Sequence, residues 1–367
     1  MGVLFGGQSE EHRVSVMSAR AIFQALADEP YDVIPMAIDR RGRWMVGRRA
    51  TALLSDGEYD GPGAVKNLAA TELQAPPKPF PEDLEPFVPE RIQNMVDVVI
   101  PVLHGPMGED GTVQGLLELA AVPYVGSGVL GSALGMDKIA MKTILGAHGL
   151  PQVAYHGVTR RAVERARDQV VAELEGLLAY PMFVKPANLG SSVGVSKATD
   201  GHELRRALAL AARYDRRIIV EQGVRAREFE VGILGLEDAQ ASVVGEVVVQ
   251  GHEFYDYDAK YVDRSTVLTV PAEIPVEITE QMRALALTAF HALDCAGLAR
   301  VDFFWAENSS TVWVNEVNTL PGFTPFSMYP RLWNASGVPY RELVRQLIEF
   351  ALKRANERRY GDPAPSL

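Results

Sequence analysis

Apolar residues recur along the chain in two patterns, one typical of strands and one typical of helices. A short apolar run at 2–5 precedes a glycine turn, and the next segment carries an apolar residue at every third or fourth position from Val16 to Leu26. This spacing predicts a strand followed by a helix over about 12–27, with one buried face. Strand, glycine turn, helix and strand in that order are typical of a parallel α/β layer.

The same two patterns continue to the end of the chain. The predicted strands lie at 32–38, 96–103, 182–186, 193–197, 217–221, 229–234, 243–249 and 267–270, and the predicted helices at 112–120, 137–148, 201–213, 277–294 and 338–355. Strands dominate from Glu228 onward, so we predict an α/β fold whose C-terminal half is α+β. Domains of about 100–125 residues are of ordinary size. The predicted units are an N-terminal unit at 1–125, a central unit at 126–225, a C-terminal unit at 226–356 and a tail at 357–367.

The composition is that of a globular enzyme. The 367 residues are 47% hydrophobic and 23% charged, with a formal net charge of −11. This charge disfavours nucleic acid or an anionic membrane as a partner. No apolar run reaches transmembrane length, and the first residues show no signal-peptide pattern. Cys295 is the one cysteine and lies in an apolar stretch, so we expect a buried thiol and a cytoplasmic protein.

Two predicted strands near the C-terminus carry polar residues that a buried strand normally avoids. One contains Arg300 and Asp302, and the next contains Glu316 and Asn318. Because side chains alternate along a strand, Glu316 and Asn318 point the same way. Three oxygen ligands and an arginine suit Mg²⁺ and the phosphates that it bridges. A salt-bridged sheet face is the less favoured alternative, because the acids outnumber the arginine on otherwise apolar strands.

A loop of small residues at 188–194 follows the predicted strand that carries Lys185. Small residues let backbone amides approach an anion, and the lysine adds a positive charge for a phosphate. The segment is not a P-loop, because the Gly-Lys-Ser/Thr ending is missing. An ordinary glycine-rich hairpin therefore remains open for this segment by itself.

The end of the strand at 217–221 carries residues that suit a nucleotide. Backbone groups at a strand end can bind the polar edge of adenine, and a carboxylate just beyond can bind ribose hydroxyls. Glu221, Val224 and Glu228 are the candidates. Surface acids near a turn explain the same residues equally well.

Three further segments have both a structural and a functional interpretation. His104 follows a fully apolar strand and either contacts a substrate or caps its loop. Glu11 precedes the first helix, where an acid favours the helix dipole or binds an ammonium group. The aromatic and charged segment 254–261 is either an edge strand or a lid that brings Lys260 and Tyr261 over a reaction centre.

In this order, the motifs resemble those of the ATP-grasp enzymes, and among them the chain is similar to the D-alanine–D-alanine ligases. The resemblance runs from about residue 3 to residue 355. Its most specific segments are 5–7, 103–105, 108–111, 136–138, 190–194, 254–261 and 318–322. The resemblance implies three domains, with ATP clamped between a sheet of the central unit and a sheet of the C-terminal unit.

The resemblance also implies roles for individual residues. ATP would be bound by Lys138, Phe183, Lys185, Ser192, Glu221, Val224, Glu228, Phe304 and Asn315. Two magnesium ions, for which manganese can substitute, would be bound by Asp302, Glu316 and Asn318. The catalytic residues would be Glu11, Ser191, Tyr261, Arg300 and Gly322. D-Alanine would be bound by His104, Lys260, Ser327 and Met328.

The implied reaction joins two D-alanine molecules through an acyl phosphate, with release of ADP and phosphate, for peptidoglycan precursor synthesis. A ligase of the same fold that uses D-lactate or D-serine is the alternative, and Tyr261 favours the dipeptide. A homodimer is implied as well. The resemblance has two departures, since Gly223 stands where some relatives have tryptophan and the region 42–90 carries no motif.

Two other functional classes of protein are less favoured by the sequence. A nucleotide-binding regulator without turnover does not need the complete set of charged residues that the chain carries. A dinucleotide-binding oxidoreductase needs a second glycine pair after the turn at 6–7, and the chain lacks it at the required spacing.

Overall fold

The computed structural model describes residues 1–55, 92–191, 193–249, 266–307 and 311–359. In this part of the chain the strands form three sheets. None of the helices in these ranges is both long enough and apolar enough to cross a lipid bilayer.

The first sheet is the parallel layer that the glycine turn predicts. Its elements are β1 (Gly2–Gly6), α1 (His12–Ala25), β2 (Ile34–Ile38), β3 (Trp44–Val46), α2 (Arg48–Ser55), β4 (Val99–Pro101) and α3 (Thr112–Leu119). The strand order is β3-β2-β1-β4, with β1 parallel to β2 and β4, and β3 antiparallel at the edge. Gly6 has a φ of +94°, and a Cβ there would collide with the carbonyl oxygen of Ile38. Only glycine allows this turn between β1 and α1.

The second sheet is antiparallel and has the order β5-β8-β6-β7. The elements of this part are α4 (Val129–Met136), α5 (Lys138–Ala147), β5 (Tyr155–Thr159), α6 (Arg160–Leu177), β6 (Met182–Pro186), β7 (Ser196–Ala198), α7 (Gly201–Tyr214) and β8 (Arg217–Gln222). Asp137 caps α5, since its carboxylate accepts hydrogen bonds of 3.1 and 2.9 Å from the amides of Ile139 and Ala140. Apolar residues of α6 and α7 cover one face of this sheet.

The third sheet has the order β11-β10-β9-β12-β13 and is also antiparallel. The remaining elements are β9 (Arg227–Gly235), β10 (Gln240–Val249), β11 (Thr266–Thr269), α8 (Val276–Ala292), β12 (Gly297–Ala306), β13 (Thr311–Asn318), α9 (Met328–Ala335) and α10 (Tyr340–Arg359). Phe229, Val231 and Phe303 pack against Met282 and Phe290 of α8. Because side chains alternate, this packing leaves the polar residues of β9, β12 and β13 on the opposite face.

The last helix completes the core of the first unit. Leu343 and Leu347 of α10 belong to the same buried cluster as Phe5 of β1 and Ile22 of α1. One apolar core therefore joins β1 and α1 to α10.

The predicted fold class is confirmed, and the predicted strands and helices overlap observed ones. The sequence did not predict β3, α2, α4, β5, α6 and α9. Cys295 is buried and free, and burial raises the pKa of its thiol to about 12, so it is a core residue as expected. The division into units at 125, 225 and 356 stays a prediction.

Candidate active site

The polar faces of the second and third sheets border a cavity of about 320 Å³, here called the inter-sheet cavity. A second cavity of about 490 Å³, here called the loop cavity, lies between the start of α1 and the loop after β13. The residues that line both cavities are Lys138, Leu189, Gly190, Ser191, Glu230 and Glu316. Ligands in the two cavities would therefore meet at this junction.

Alternation along β6 decides what the second sheet presents to the inter-sheet cavity. Met182 packs into the core under α6 and α7, so Phe183 and Lys185 lie on the cavity side. Glu221 pairs with Phe183 from the neighbouring strand β8. Phe304 lines the same cavity from the third sheet, so an aromatic ring is available from each side.

Glu221 is a buried carboxylate between two lysines. Its Oε1 lies 2.9 Å from Lys142 Nζ, and its Oε2 lies 2.5 Å from Lys185 Nζ. Burial alone would raise the pKa of Glu221, but the charges of the two lysines outweigh it and lower the pKa to about 2. Burial would likewise lower the pKa of Lys185, and Glu221 raises it instead. Glu221 is thus ionised and can only accept hydrogen bonds.

The third sheet presents two acids, an amide and an arginine to the junction. Asp302 pairs with Glu316, and Arg300 pairs with Asn318 on the adjacent strand, so the four side chains share one face. Arg300 donates two hydrogen bonds of 2.7 Å to Asp302 and lies 2.9 Å from Glu230. The pattern in the sequence therefore corresponds to a compact charged cluster.

The oxygen atoms of Asp302, Glu316 and Asn318 are the donor types that Mg²⁺ prefers. Lys138 Nζ lies 3.1 Å from Glu316, and Asn318 Oδ1 accepts a hydrogen bond of 3.1 Å from the amide of Leu320. In the described ranges, no group of three or more histidines, cysteines or acids is arranged to hold a metal. The donor set of two carboxylates and one amide fits magnesium chemically.

The loop after β6 connects α5 with the first unit. Ser191, which has a φ of +50°, donates a hydrogen bond from Oγ to the carboxylate of Glu11. At the base of the loop, Asn188 Nδ2 donates hydrogen bonds of 3.1 Å to Asp137 and 3.1 Å to Asp215. The glycine-rich segment is thus fixed at its base and in contact with the start of α1 at its tip.

His104 is buried at the edge of the loop cavity. Its Nδ1 lies 3.3 Å from Glu109 Oε1 and 3.1 Å from Leu320 O, and its Nε2 has no hydrogen-bond partner among the described residues. Burial would lower the pKa of His104, but the hydrogen bond and charge of Glu109 and the charge of Glu11 raise it. When His104 is protonated, its Nε2–H is a charged donor that suits a carboxylate ligand.

The loop after β13 and the start of α9 form another wall of the loop cavity. Ser327 Oγ accepts a hydrogen bond of 3.2 Å from the amide of Thr324, and a Cβ at Gly322 would lie 3.2 Å from the same oxygen. Met328 is the first residue of α9, where backbone N–H groups have no partner within the helix. This wall therefore offers hydrogen-bond donors to an anionic ligand.

The structure brings most of the predicted site residues to the two cavities. Those at the inter-sheet cavity are Lys138, Phe183, Lys185, Glu221, Val224, Glu228, Asp302, Phe304, Asn315 and Glu316. Those at the loop cavity are Glu11, His104, Lys138, Ser191, Arg300, Glu316, Asn318, Gly322, Ser327 and Met328. Ser192, Lys260 and Tyr261 lie outside the described residues. Their roles, like those of the others, stay predictions.

Three charged residues near these cavities were not predicted. Glu230 follows Glu228 by two positions, so strand alternation could have placed it on the same face. Lys142 lies one helical turn after Lys138 in α5, a spacing that puts both on one side of the helix. Glu109 lies in the glycine-rich segment 108–111, and no local pattern indicates its contact with His104.

Two family models match the chain: the D-ala D-ala ligase N-terminus over residues 1–127 and the D-ala D-ala ligase C-terminus over residues 144–349. The D-alanine–D-alanine ligase of Geobacillus thermodenitrificans is 47% identical over 361 residues, which cover 98% of this chain and 96% of the relative. That of Heliobacterium modesticaldum is 48% identical over 358 residues, covering 98% of this chain and 96% of the relative.

Solved structures agree with these matches. The VanG D-Ala:D-Ser ligase of Enterococcus faecalis superposes with a TM-score of 0.80 at 32% identity, covering 95% of this chain and 98% of that one. The D-alanine–D-alanine ligase of Coxiella burnetii superposes with a TM-score of 0.76, also at 32% identity, covering 98% of this chain and 95% of that one. The resemblance inferred from the motifs is confirmed, and the chain belongs to the D-alanine–D-alanine ligase family.

Proposed function

We propose that the protein joins two D-alanine molecules to D-alanyl-D-alanine, with ATP as the energy source and an acyl phosphate as the intermediate. One observation carries this proposal beyond family membership. The inter-sheet cavity, which suits a nucleotide, meets the loop cavity, which presents both acids and cations to a small ligand, where Lys138 contacts Glu316. A terminal phosphate and a substrate carboxylate would come together at this point.

ATP occupies the inter-sheet cavity in this proposal. Phe183 and Phe304 border the base, Glu221 and the backbone of Val224 bind its polar edge, and Glu228 binds the ribose. The remaining nucleotide ligands are Lys138, Lys185, Ser192 and Asn315, with the two lysines on the phosphates. Asp302, Glu316 and Asn318 hold two magnesium ions, whose charge offsets that of the transferring phosphoryl group.

The first D-alanine lies in the loop cavity with its ammonium group at Glu11 and its carboxylate near His104. A carboxylate is a poor electrophile, so it is first activated. The carboxylate attacks the γ-phosphate of ATP. ADP is the leaving group, and the product is the acyl phosphate. Arg300 faces the transferring group, and a positive charge fixed at this position lowers the barrier without reorganisation.

The second D-alanine binds with its carboxylate at Ser327 and the amide of Met328, helped by Lys260. Its ammonium group first loses a proton to solvent. The resulting amine attacks the acyl carbon, the bond from that carbon to the phosphate oxygen breaks, and the nitrogen releases a second proton as the peptide bond forms and phosphate leaves. Arg300 and the amide of Gly322 stabilise the developing oxyanion, each by about 3 kcal/mol. The contact of Ser191 with Glu11, together with Tyr261, closes the site and protects the intermediate from water.

D-Serine is the second candidate acceptor, because a D-Ala:D-Ser ligase is among the structures that superpose on this chain. Both acceptors carry the same ammonium and carboxylate groups and differ by one hydroxyl. An equimolar mixture of D-alanine, D-serine and D-lactate, followed by mass analysis of the products, distinguishes the three activities. We expect D-alanyl-D-alanine as the main product.

The deciding experiment measures ADP release with and without D-alanine and magnesium. We expect release only when both are present, with one dipeptide formed per ADP. ADP release without dipeptide, or dipeptide without ATP, would overturn the proposal. We place the reaction in the cytoplasm, where it would supply peptidoglycan precursor synthesis, and we expect a homodimer.

A further inference from the structure

Lys142 is a fully buried lysine to which the proposed reaction gives no task. Its exposed fraction is 1%, and its Nζ lies 2.9 Å from Glu221 Oε1 and 5.7 Å from the ring of Tyr155. Within the described ranges its ammonium group makes no hydrogen bond of good geometry. The carboxylate of Glu221 is the one anionic partner of Lys142 given by these contacts, and a buried ammonium group is costly to keep.

The two lysines on Glu221 differ in their access to ligand. Lys185 lines the inter-sheet cavity, and its side chain is 17% exposed. Lys142 does not line either cavity and lies behind the carboxylate, on α5. A nucleotide phosphate can therefore compete for Lys185 but cannot reach Lys142.

This difference matters once a nucleotide is bound. When Lys185 turns to a phosphate, the carboxylate of Glu221 loses one of its two positive neighbours. A buried carboxylate without a positive partner takes up a proton, and a protonated carboxyl group donates a hydrogen bond as readily as it accepts one. Lys142 would keep the carboxylate ionised, so that it only accepts.

We propose that Lys142 is a positioning residue that makes the site specific for adenine by keeping Glu221 a fixed hydrogen-bond acceptor. An ionised Glu221 accepts a hydrogen bond from the 6-amino group of adenine and repels the 6-carbonyl oxygen of hypoxanthine or guanine. The inference rests on the proposed function only in that the nucleotide occupies the inter-sheet cavity with its base at Glu221.

A purely structural role for Lys142 makes a different prediction. A buried ion pair that only stabilises the sheet would affect every nucleotide to the same extent when it is removed. A positioning role affects only those nucleotides that carry the 6-amino group. The ratio of two affinities therefore separates the roles, whereas stability alone does not.

The test measures nucleotide binding by calorimetry, with magnesium present and D-alanine absent. The ligands are ADP, inosine diphosphate and purine riboside diphosphate. The last of these lacks the 6-amino group. A hydrogen bond to a charged group should make the unaltered protein prefer ADP to purine riboside diphosphate by about tenfold or more. In Lys142→Met this preference should fall to within about twofold, mainly through weaker ADP binding. Lys353→Met, which removes an exposed lysine paired with Glu357, should keep the full preference.

An unchanged preference in Lys142→Met, with both ligands weakened equally, would overturn the inference. If that variant does not fold, Lys142→Met/Glu221→Gln removes both charges, a change that buried pairs often tolerate. The amide that Glu221→Gln introduces can donate a hydrogen bond to a 6-carbonyl oxygen. The double variant should therefore bind inosine diphosphate about as tightly as ADP. A retained preference for ADP in this double variant would also overturn the inference.

The result is independent of the ligase assay. Equal binding of ADP and purine riboside diphosphate by the unaltered protein would contradict the role of Lys142 in adenine specificity. It would not contradict the proposed formation of the dipeptide. Base preference without D-alanine-dependent ADP release would instead remove the proposed function and leave this inference standing.

Discussion

Arg300 donates hydrogen bonds of 2.7 Å from Nε and Nη2 to the two carboxylate oxygens of Asp302, two positions along the same strand. Glu230 lies 2.9 Å from the same guanidinium group. If the carboxylate of Asp302 binds a metal cation, Glu230 can still hold the guanidinium group of Arg300 in position. This arrangement accounts for an arginine and an acid on the same face of one strand.

Replacing Arg300 with lysine removes the planar fork and keeps the charge. We expect kcat for dipeptide formation to fall by about 100-fold or more, because oxyanion and phosphoryl contacts depend on geometry. Steady-state ADP release measures this loss. Arg206→Lys, at an exposed arginine of α7 paired with Glu203, should behave like the unaltered protein, and equal activity in both variants would contradict the role of Arg300.

Replacing Glu11 with glutamine keeps an acceptor for Ser191 and removes the negative charge. The KM for D-alanine in the first position should rise by about tenfold or more, because a charged hydrogen bond to the substrate ammonium is lost. The KM for ATP should stay the same. Glu164→Gln on the exposed side of α6 is the matched control, and a rise in both KM values would point to a general disturbance instead.

Replacing Glu316 with glutamine should raise the magnesium concentration needed for half-maximal activity by about tenfold or more, since a neutral amide is a weaker ligand than a carboxylate. Binding of Mn²⁺ to the ATP complex, followed by electron paramagnetic resonance, checks the same change without turnover. Glu237→Gln, at an exposed position after β9, should leave both values unchanged. Full Mn²⁺ affinity in Glu316→Gln would argue against the metal site.

The lowered pKa of Glu221 predicts how the free energy of unfolding depends on pH. The folded-state pKa of about 2 lies below the ordinary value of 4.5. The contribution of Glu221 is therefore complete above pH 4.5 and is lost as the pH falls toward 2. Across this window it should amount to about 3 kcal/mol of unfolding free energy. Urea unfolding at several pH values gives the dependence of the unfolding free energy on pH. Between pH 4.5 and 2 this dependence should be weaker for Glu221→Gln than for Glu237→Gln, and equal dependence in the two variants would contradict the lowered pKa of Glu221.

Leu343 of α10 is fully buried in the core that the last helix shares with the first unit. Its replacement by alanine should lower the free energy of unfolding by about 2–5 kcal/mol, because the cavity left behind is only partly refilled. Leu352→Ala, where the side chain is 38% exposed, should cost much less. Chemical denaturation of both variants measures the difference, and similar losses would show that α10 does not complete this core.

The sequence was most informative where the physical rule is local. Side-chain alternation placed Glu316 and Asn318 on one face of β13, and the apolar stripe from Val16 to Leu26 predicted α1. Helices with many charges, such as α6 with its arginines, have a weak apolar stripe and were not predicted. Short strands such as β3 give too few residues for a period to be recognised.

Contacts between distant parts of the chain could not be predicted from such patterns. Ser191 and Glu11 were placed in one site only through the resemblance to the family, because no local pattern relates residues so far apart in the chain. The contact of Lys142 with Glu221 was not expected at all, because it depends on how α5 packs beside β8. Which of two lysines faces a cavity and which lies behind a carboxylate is decided by tertiary packing, not by spacing.

The shared core of α1 and α10 has a consequence for synthesis of the protein. Ribosomes make the chain from its first residue, so Phe5 and Ile22 are made long before Leu343 and Leu347, which they join in the folded state. Until the final helix emerges, the growing chain carries an apolar surface that its own residues cannot yet cover. A chaperone that binds such surfaces during translation would therefore be expected to hold this chain until α10 has been made.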